Sequence, residues 1–132
     1  MKGTYCLIIN VKTDFESKIG SLGKLQFEKG HYVYVGSALN NLEKRIARHM
    51  RRAKNKHWHI DYLLTKRSVQ VEKVFYKESE EKQECKIAGI ISSYGVGVAN
   101  FGSSDCKCKG HLFRIHGSCK IQWSANGMKS AV

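Results

Sequence analysis

Residues 4–11 (TYCLIINV) form a nearly continuous apolar, β-rich run close to the start of the chain. Such a run has no face to give to water, so it predicts a central strand covered on both sides, around which the fold is built. A looser stretch over residues 12–23 follows, with a turn at Gly20-Ser21-Leu22-Gly23. Residues 24–28 and 31–35 are short strand candidates joined through Lys29-Gly30, which predicts a hairpin between them. Asn40 or Asn41 can cap a helix over residues 42–54, with Leu42, Ile46, Met50 and Ala53 along one side.

Residues 57–65 (HWHIDYLLT) predict a short helix or an extended turn, and residues 69–76 another strand. Ser79 is placed to cap a second helix over 80–93, and the glycine- and serine-rich stretch 95–110 reads as loop. The segments 111–116 and 119–123 around Gly117-Ser118 predict a second hairpin. Strands first, helices between and strands last give a small α+β domain with a mostly antiparallel sheet. The domain is expected over residues 1–124, with residues 125–132 a frayed tail.

Composition narrows the function classes. The chain of 132 residues carries 23 Lys+Arg against 11 Asp+Glu, a formal net charge of +12, and 42% of its residues are hydrophobic. That is too apolar for a disordered polycation, and no apolar run approaches the roughly 20 residues a membrane helix needs. The opening Met1-Lys2-Gly3-Thr4-Tyr5 does not read as a signal peptide, and the five cysteines are an odd number. The expectation is a soluble cytoplasmic protein with reduced thiols, no membrane association and a polyanionic partner. Lys44, Arg45, Arg48, Arg51, Arg52, Lys54 and Lys56 place seven of the positive charges within 13 residues, with no acid among them. Like charges three and four apart on a helix repel by about 0.2–0.5 kcal/mol per pair, so a ridge of one sign points to phosphate contact rather than mere solvation.

Several residues exceed what binding requires. Arg45 and His49 are one turn apart, so a guanidinium that can hold a phosphate stands beside an imidazole that can exchange a proton. Glu84 falls in line with Ala88 and Ile91 on the second helix, where a carboxylate needs a counter-ion, a metal or the rim of a cleft. Tyr5 follows Gly3-Thr4 in the first strand, and Tyr34 opens Tyr34-Val35-Gly36 just before the Arg45 helix.

Gly3-Thr4-Tyr5, Tyr34-Val35-Gly36, Arg45-x-x-x-His49 and Glu84, in this order, resemble the GIY-YIG nuclease superfamily. The stretches HWHIDY (57–62) and FGSSDC (101–106) are similar to its small stand-alone Uri-type branch. The resemblance implies a three-stranded antiparallel sheet flanked by helices, and metal-dependent hydrolysis of phosphodiesters, usually in DNA and in the setting of DNA repair, with RNA also open. By position it implies that Tyr5 and Tyr34 face the scissile phosphate, Arg45 neutralises the phosphorane, His49 orients or deprotonates Tyr5 or the water, and Glu84 holds one Mg²⁺ or Mn²⁺. A free tyrosine with a pKa of about 10 is a poor base at neutral pH, but a nearby cation favours the phenolate and a neutral imidazole can take the proton.

The sequence departs from the family pattern at Thr4, where the family has isoleucine, and in the 28 residues between Tyr5 and Tyr34. An inserted turn and strand over residues 12–27 can absorb that length. The family's late asparagine has Asn100, Ser103 and Asp105 as alternative counterparts.

Cys106-x-Cys108-x-x-His111 offers three soft ligands, with Cys85, His116 or Cys119 as a fourth for zinc, or else is a pair of reduced loop thiols beside a histidine. His57 and His59, with Asp61, either form a second metal or phosphate-contact group, or Trp58 anchors the segment to the core and leaves the two histidines exposed. Three readings therefore stand: a metal-dependent endonuclease, a non-catalytic basic nucleic-acid-binding module of the same fold, and a small zinc-stabilised protein.

Overall fold

A computed structural model describes residues 2–38, 40–51, 56, 58–81, 83–98, 101, 110–116 and 121–131. The apolar run becomes β1 (Gly3–Val11), which pairs along its whole length with β4 (Gly30–Ala38) on one side and β5 (Val69–Glu78) on the other. β6 (Gly95–Gly97), β7 (Leu112–Ile115) and β8 (Lys129–Ser130) complete a six-stranded sheet in the order β6-β7-β4-β1-β5-β8, antiparallel at every step. Three helices, α1 (Leu42–Met50), α2 (His59–Leu64) and α3 (Glu84–Ile91), flank it, and the molecule is α+β. The three central strands extend into six because β7, β6 and β8 add short pairs at the margins.

The period of two along β1 and β4 sorts the core into two layers. Tyr5, Leu7, Ile9 and Val11 of β1 join Tyr32 and Tyr34 of β4 in one cluster, closed by Leu42, Ile60, Leu63 and Phe101. Cys6, Val33 and Val35 point the other way and pack with Ile87, Ala88 and Ile91 of α3. A strand apolar on both faces is thus needed because helices lie on both faces.

The connections differ from expectation in instructive ways. β3 (Lys24–Phe27) does not form a hairpin with β4; it turns back through residues 20–22 onto β2 (Phe15–Lys18) in a separate two-stranded sheet. The residues between β1 and β4 are therefore an insertion built around this hairpin (residues 15–27), whose Phe15 and Phe27 stack at 5.2 Å. α1 ends at Met50, four residues early, because Arg51 takes an extended conformation. Its buried side is Leu42, Ile46 and His49, while Met50 is 52% exposed. Seven residues return a helix almost to the same azimuth and eight overshoot it, so His49 takes the inward place expected of Met50.

α3 begins at Glu84 rather than residue 80, since β5 runs on to Glu78 and the Ser79 hydroxyl instead accepts the Glu81 N–H and a Gln83 amide hydrogen in a local turn. Its buried residues, Glu84, Ile87, Ala88 and Ile91, keep the expected spacing. Within the expected loop 95–110, residues 95–97 form β6 and take the place beside β7 that residues 119–123 were expected to fill. Residues 121–123 are not strand. Residues 125–131 of the expected frayed tail are structured as well: Met128 is buried and β8 pairs with β5, and just before them Trp123 stacks on Phe75 at 4.4 Å.

Candidate functional site

Two adjacent strands and one helix bring four of the sequence-selected side chains into contact. Tyr5 on β1 and Tyr34 on β4 lie on the same face of the sheet, with ring centroids 6.5 Å apart. The inward side of α1 carries His49 onto them, 5.2 Å from Tyr5 and 6.2 Å from Tyr34 between centroids. The Tyr5 hydroxyl is 2.6 Å from His49 Nε2, a short buried hydrogen bond. When the imidazole carries its hydrogen on Nδ1, the phenol O–H donates to Nε2.

The glycines of the two motifs make this approach possible. Gly36 stands opposite Tyr5 in the β1–β4 register, and a Cβ there would lie 2.5 Å from the Tyr5 ring carbon and hydroxyl. Gly3 similarly faces the Lys77 carbonyl and the Leu42 side chain, with no room for a methyl group. The glycines clear space for the tyrosine and for the helix that bears its histidine.

Arg45 donates from its guanidinium to the Ser37 carbonyl at 2.9 Å, and its charge favours ionisation of Tyr5. Burial opposes this more strongly, so the pKa of Tyr5 stands above its ordinary value, and that of Tyr34 rises well above. Both phenols are protonated at neutral pH. The nearby guanidinium therefore does not by itself yield a phenolate, and the hydroxyl's hydrogen bond to His49 Nε2 is where its proton can be shared.

Glu84 reaches the site differently. It is the first residue of α3, on the opposite layer, and is 7% exposed. No direct contact joins it to the tyrosines, but its charge acts on both, opposing their ionisation. Its Oε2 lies 3.7 Å from Nδ1 of the buried His111, whose Nε2 is 3.9 Å from the Cys85 sulfur. Among the described residues no three His, Cys, Asp or Glu side chains form a metal-ligating group. A single carboxylate is a donor set that suits a hard cation retaining most of its waters, as Mg²⁺ and Mn²⁺ do.

Trp58, which the sequence suggested only as an anchor, is an organiser of the site. The Arg45 and Arg48 guanidinium carbons each lie 4.4 Å from its ring centroid, and His49 is 5.9 Å from it. Its tryptophan-between-histidines setting in HWHID was the one visible signal. Phe101, also missed, fills the space beside Tyr34 and His59 at 6.3 and 5.6 Å. Burial lowers the pKa of His59.

Arg48, expected to contact substrate phosphates, is the partner of Asp61. The guanidinium meets both carboxylate oxygens at 2.8 Å, and Asp61, fully buried, also accepts the Trp58 backbone N–H at 2.9 Å. The pair ties α1 to the start of α2. Of the remaining basic run, Lys44, Arg51 and Lys56 are exposed, while Arg52 and Lys54 lie outside the described residues. So do Ser103, Asp105, Cys106 and Cys108, together with His57, Asn100 and Cys119.

No helix among the described residues is long and apolar enough to cross a membrane. No curated protein and no solved structure matches the chain. The family model "Domain of unknown function DUF123" matches residues 4–131, and the chain belongs to that family.

Proposed function

We propose that the chain is a metal-dependent endonuclease of GIY-YIG type that hydrolyses DNA phosphodiester bonds in the cytoplasm. The observation that carries this reading is the 2.6 Å hydrogen bond between the Tyr5 hydroxyl and His49 Nε2, made inside a ring of Tyr34, Arg45 and Trp58. A phenol held protonated by burial is a poor base alone, but it can relay. As the attacking water gives its proton to the Tyr5 oxygen, the phenolic proton passes to His49, and no free phenolate need form. The water oxygen bonds to phosphorus, the P–O bond to the leaving sugar oxygen breaks and that oxygen takes a proton from solvent, and Arg45 offsets the charge that builds on the phosphoryl oxygens. A divalent cation at Glu84 would supply Lewis-acid charge and a water of lowered pKa. The exposed Lys44, Arg51 and Lys56 hold the flanking backbone.

The test is nicking of supercoiled or branched DNA with Mg²⁺ or Mn²⁺. Arg45→Ala and Glu84→Gln should each lower the rate by at least about 10²-fold, the scale of losing an electrostatic partner of the transition state. Wild-type protein that binds DNA in a salt-sensitive way but never nicks it would leave the non-catalytic module, a reading favoured by the deep burial of Tyr5 and His49. The zinc-stabilised reading draws on the 3.9 Å approach of Cys85 to His111, and stoichiometric zinc in purified protein would establish it.

A further inference from the structure

The indole of Trp58 is braced from two directions. Its backbone N–H donates to Asp61 Oδ2 at 2.9 Å and its carbonyl accepts the Asp61 N–H at 3.0 Å, so the residue is locked onto the first turn of α2. Asp61 is fully buried and also grips the Arg48 guanidinium through both carboxylate oxygens. That guanidinium lies in turn over the Trp58 ring, 4.4 Å from its centroid. Carboxylate, guanidinium and indole therefore hold one another, and the ring has little freedom to turn.

The same ring meets two groups of the Tyr5 site. The Arg45 guanidinium lies over it at 4.4 Å, and the His49 imidazole is 5.9 Å away between centroids. Arg45 and Arg48 are three residues apart on α1, so two cations share one ring, which like-charge repulsion alone would disfavour. The buried carboxylate of Asp61 offsets Arg48, and within this trio the unbalanced positive charge is that of Arg45. Stacking covers the flat face of a guanidinium and keeps its N–H edges for in-plane hydrogen bonds, the geometry that suits a phosphate. One of these edges is fixed on the Ser37 carbonyl at 2.9 Å. Arg45 is thus oriented by an edge contact to β4 and a face contact to the residue that caps α2.

We propose that Trp58 is a positioning residue of the Tyr5–His49 site, a role that rests on the proposed endonuclease reading: its ring sets the Arg45 guanidinium towards the scissile phosphate and backs the His49 imidazole, with Asp61 and Arg48 as its brace.

The experiment is single-turnover nicking of supercoiled DNA with Mg²⁺ and the full chain in excess, which keeps slow variants measurable. Trp58→Phe and Trp58→Leu are each made in the wild-type and in the Arg45→Ala background. Trp58→Phe keeps an aromatic face and should stay within about 3-fold of the wild-type maximal rate. Trp58→Leu keeps an apolar side chain without the face. It should lower the maximal rate at least about 10-fold, while the protein concentration at half-maximal rate moves less than about 2-fold. With Arg45 already gone there is no guanidinium to orient, and Trp58→Leu should then cost less than about 3-fold. If Trp58→Leu costs the same factor in both backgrounds, or Trp58→Phe falls as far as Trp58→Leu, while the wild type nicks DNA, the positioning role fails and the proposed function stands. Loss of folding in Trp58→Leu, read by far-UV circular dichroism, makes the ring part of the core alone and also overturns the proposal. If the wild type nicks no DNA, both fail.

Discussion

Tyr5 and Tyr34 show how one residue type can fill a core while keeping a polar group in it. Each is a large apolar body sealing the layer between the sheet and α1, and each carries a hydroxyl that burial keeps protonated. Burial also pushes up the thiol of Cys6 on the opposite layer. A group whose native pKa stands above its unfolded value holds its proton more tightly when folded. Its contribution is therefore complete below the unfolded pKa and is lost as pH climbs above it. Through these three groups stability should be unchanged from pH 7 to about pH 8.5, fall first as Cys6 ionises in the unfolded chain, and fall more steeply above about pH 10 as the tyrosines join. Each group can contribute up to about 1.4 kcal/mol per pH unit across its window. Urea midpoints at pH 7, 9, 10 and 10.5 measure this, and Tyr5→Phe should flatten the last interval. A midpoint that holds steady to pH 10.5 would show these groups to be solvated in the native state.

The elements were legible where their signals are local. The apolar run of β1 emerges as the structure has it, and so does the strand carrying Tyr34, although β4 runs three residues past its expected end to Ala38. Partnership was not legible, because pairing is decided by residues far apart in sequence. β3 reads as a strand from its own residues, yet nothing in them says that it pairs with β2 rather than β4. Arg48 reads as one more cation of a ridge, and only the position of α2 reveals that Asp61, 13 residues on, claims it.

That pairing distinguishes cations that look equivalent in the sequence. Removing Arg48 leaves a carboxylate that is fully buried, and breaking a buried pair in this way costs about 3–5 kcal/mol. Arg51 is exposed, so its loss should change stability by less than about 0.5 kcal/mol. Urea denaturation of Arg48→Ala and Arg51→Ala compares the two, with Arg51→Ala expected to show the larger effect on DNA affinity. Equal stability of the two variants would mean that the Arg48–Asp61 pair does not hold α1 to α2.

At the scale of the whole molecule, the last residues complete the second core layer. The sheet has one end at β6 and the other at β8, and the segment leading into β8 folds back across β5. Trp123 lies flat on Phe75, Met128 enters the cluster under α3, and the Ala131 N–H donates to the Val74 carbonyl at 2.8 Å. Deleting residues 123–132 would strip one face of Phe75, remove Met128 from its pocket and uncover residues 74–76 of β5, lengthening its open edge. Burial of a methionine or aromatic side chain is worth about 1.5–3 kcal/mol, so the deletion should cost at least about 3 kcal/mol. That is a large share of the roughly 5–15 kcal/mol that holds a domain folded, and it should lower the melting temperature by about 10 °C. The bare edge of β5 should also make the truncated chain prone to self-association, visible by light scattering at concentrations where the full chain is monodisperse. Met128→Ala separates the two causes. It should reproduce about 2–5 kcal/mol of the loss through its cavity alone, while β8 still covers the edge and scattering stays low. A truncated chain that melts with the full-length protein would show that the segment merely rests on the sheet.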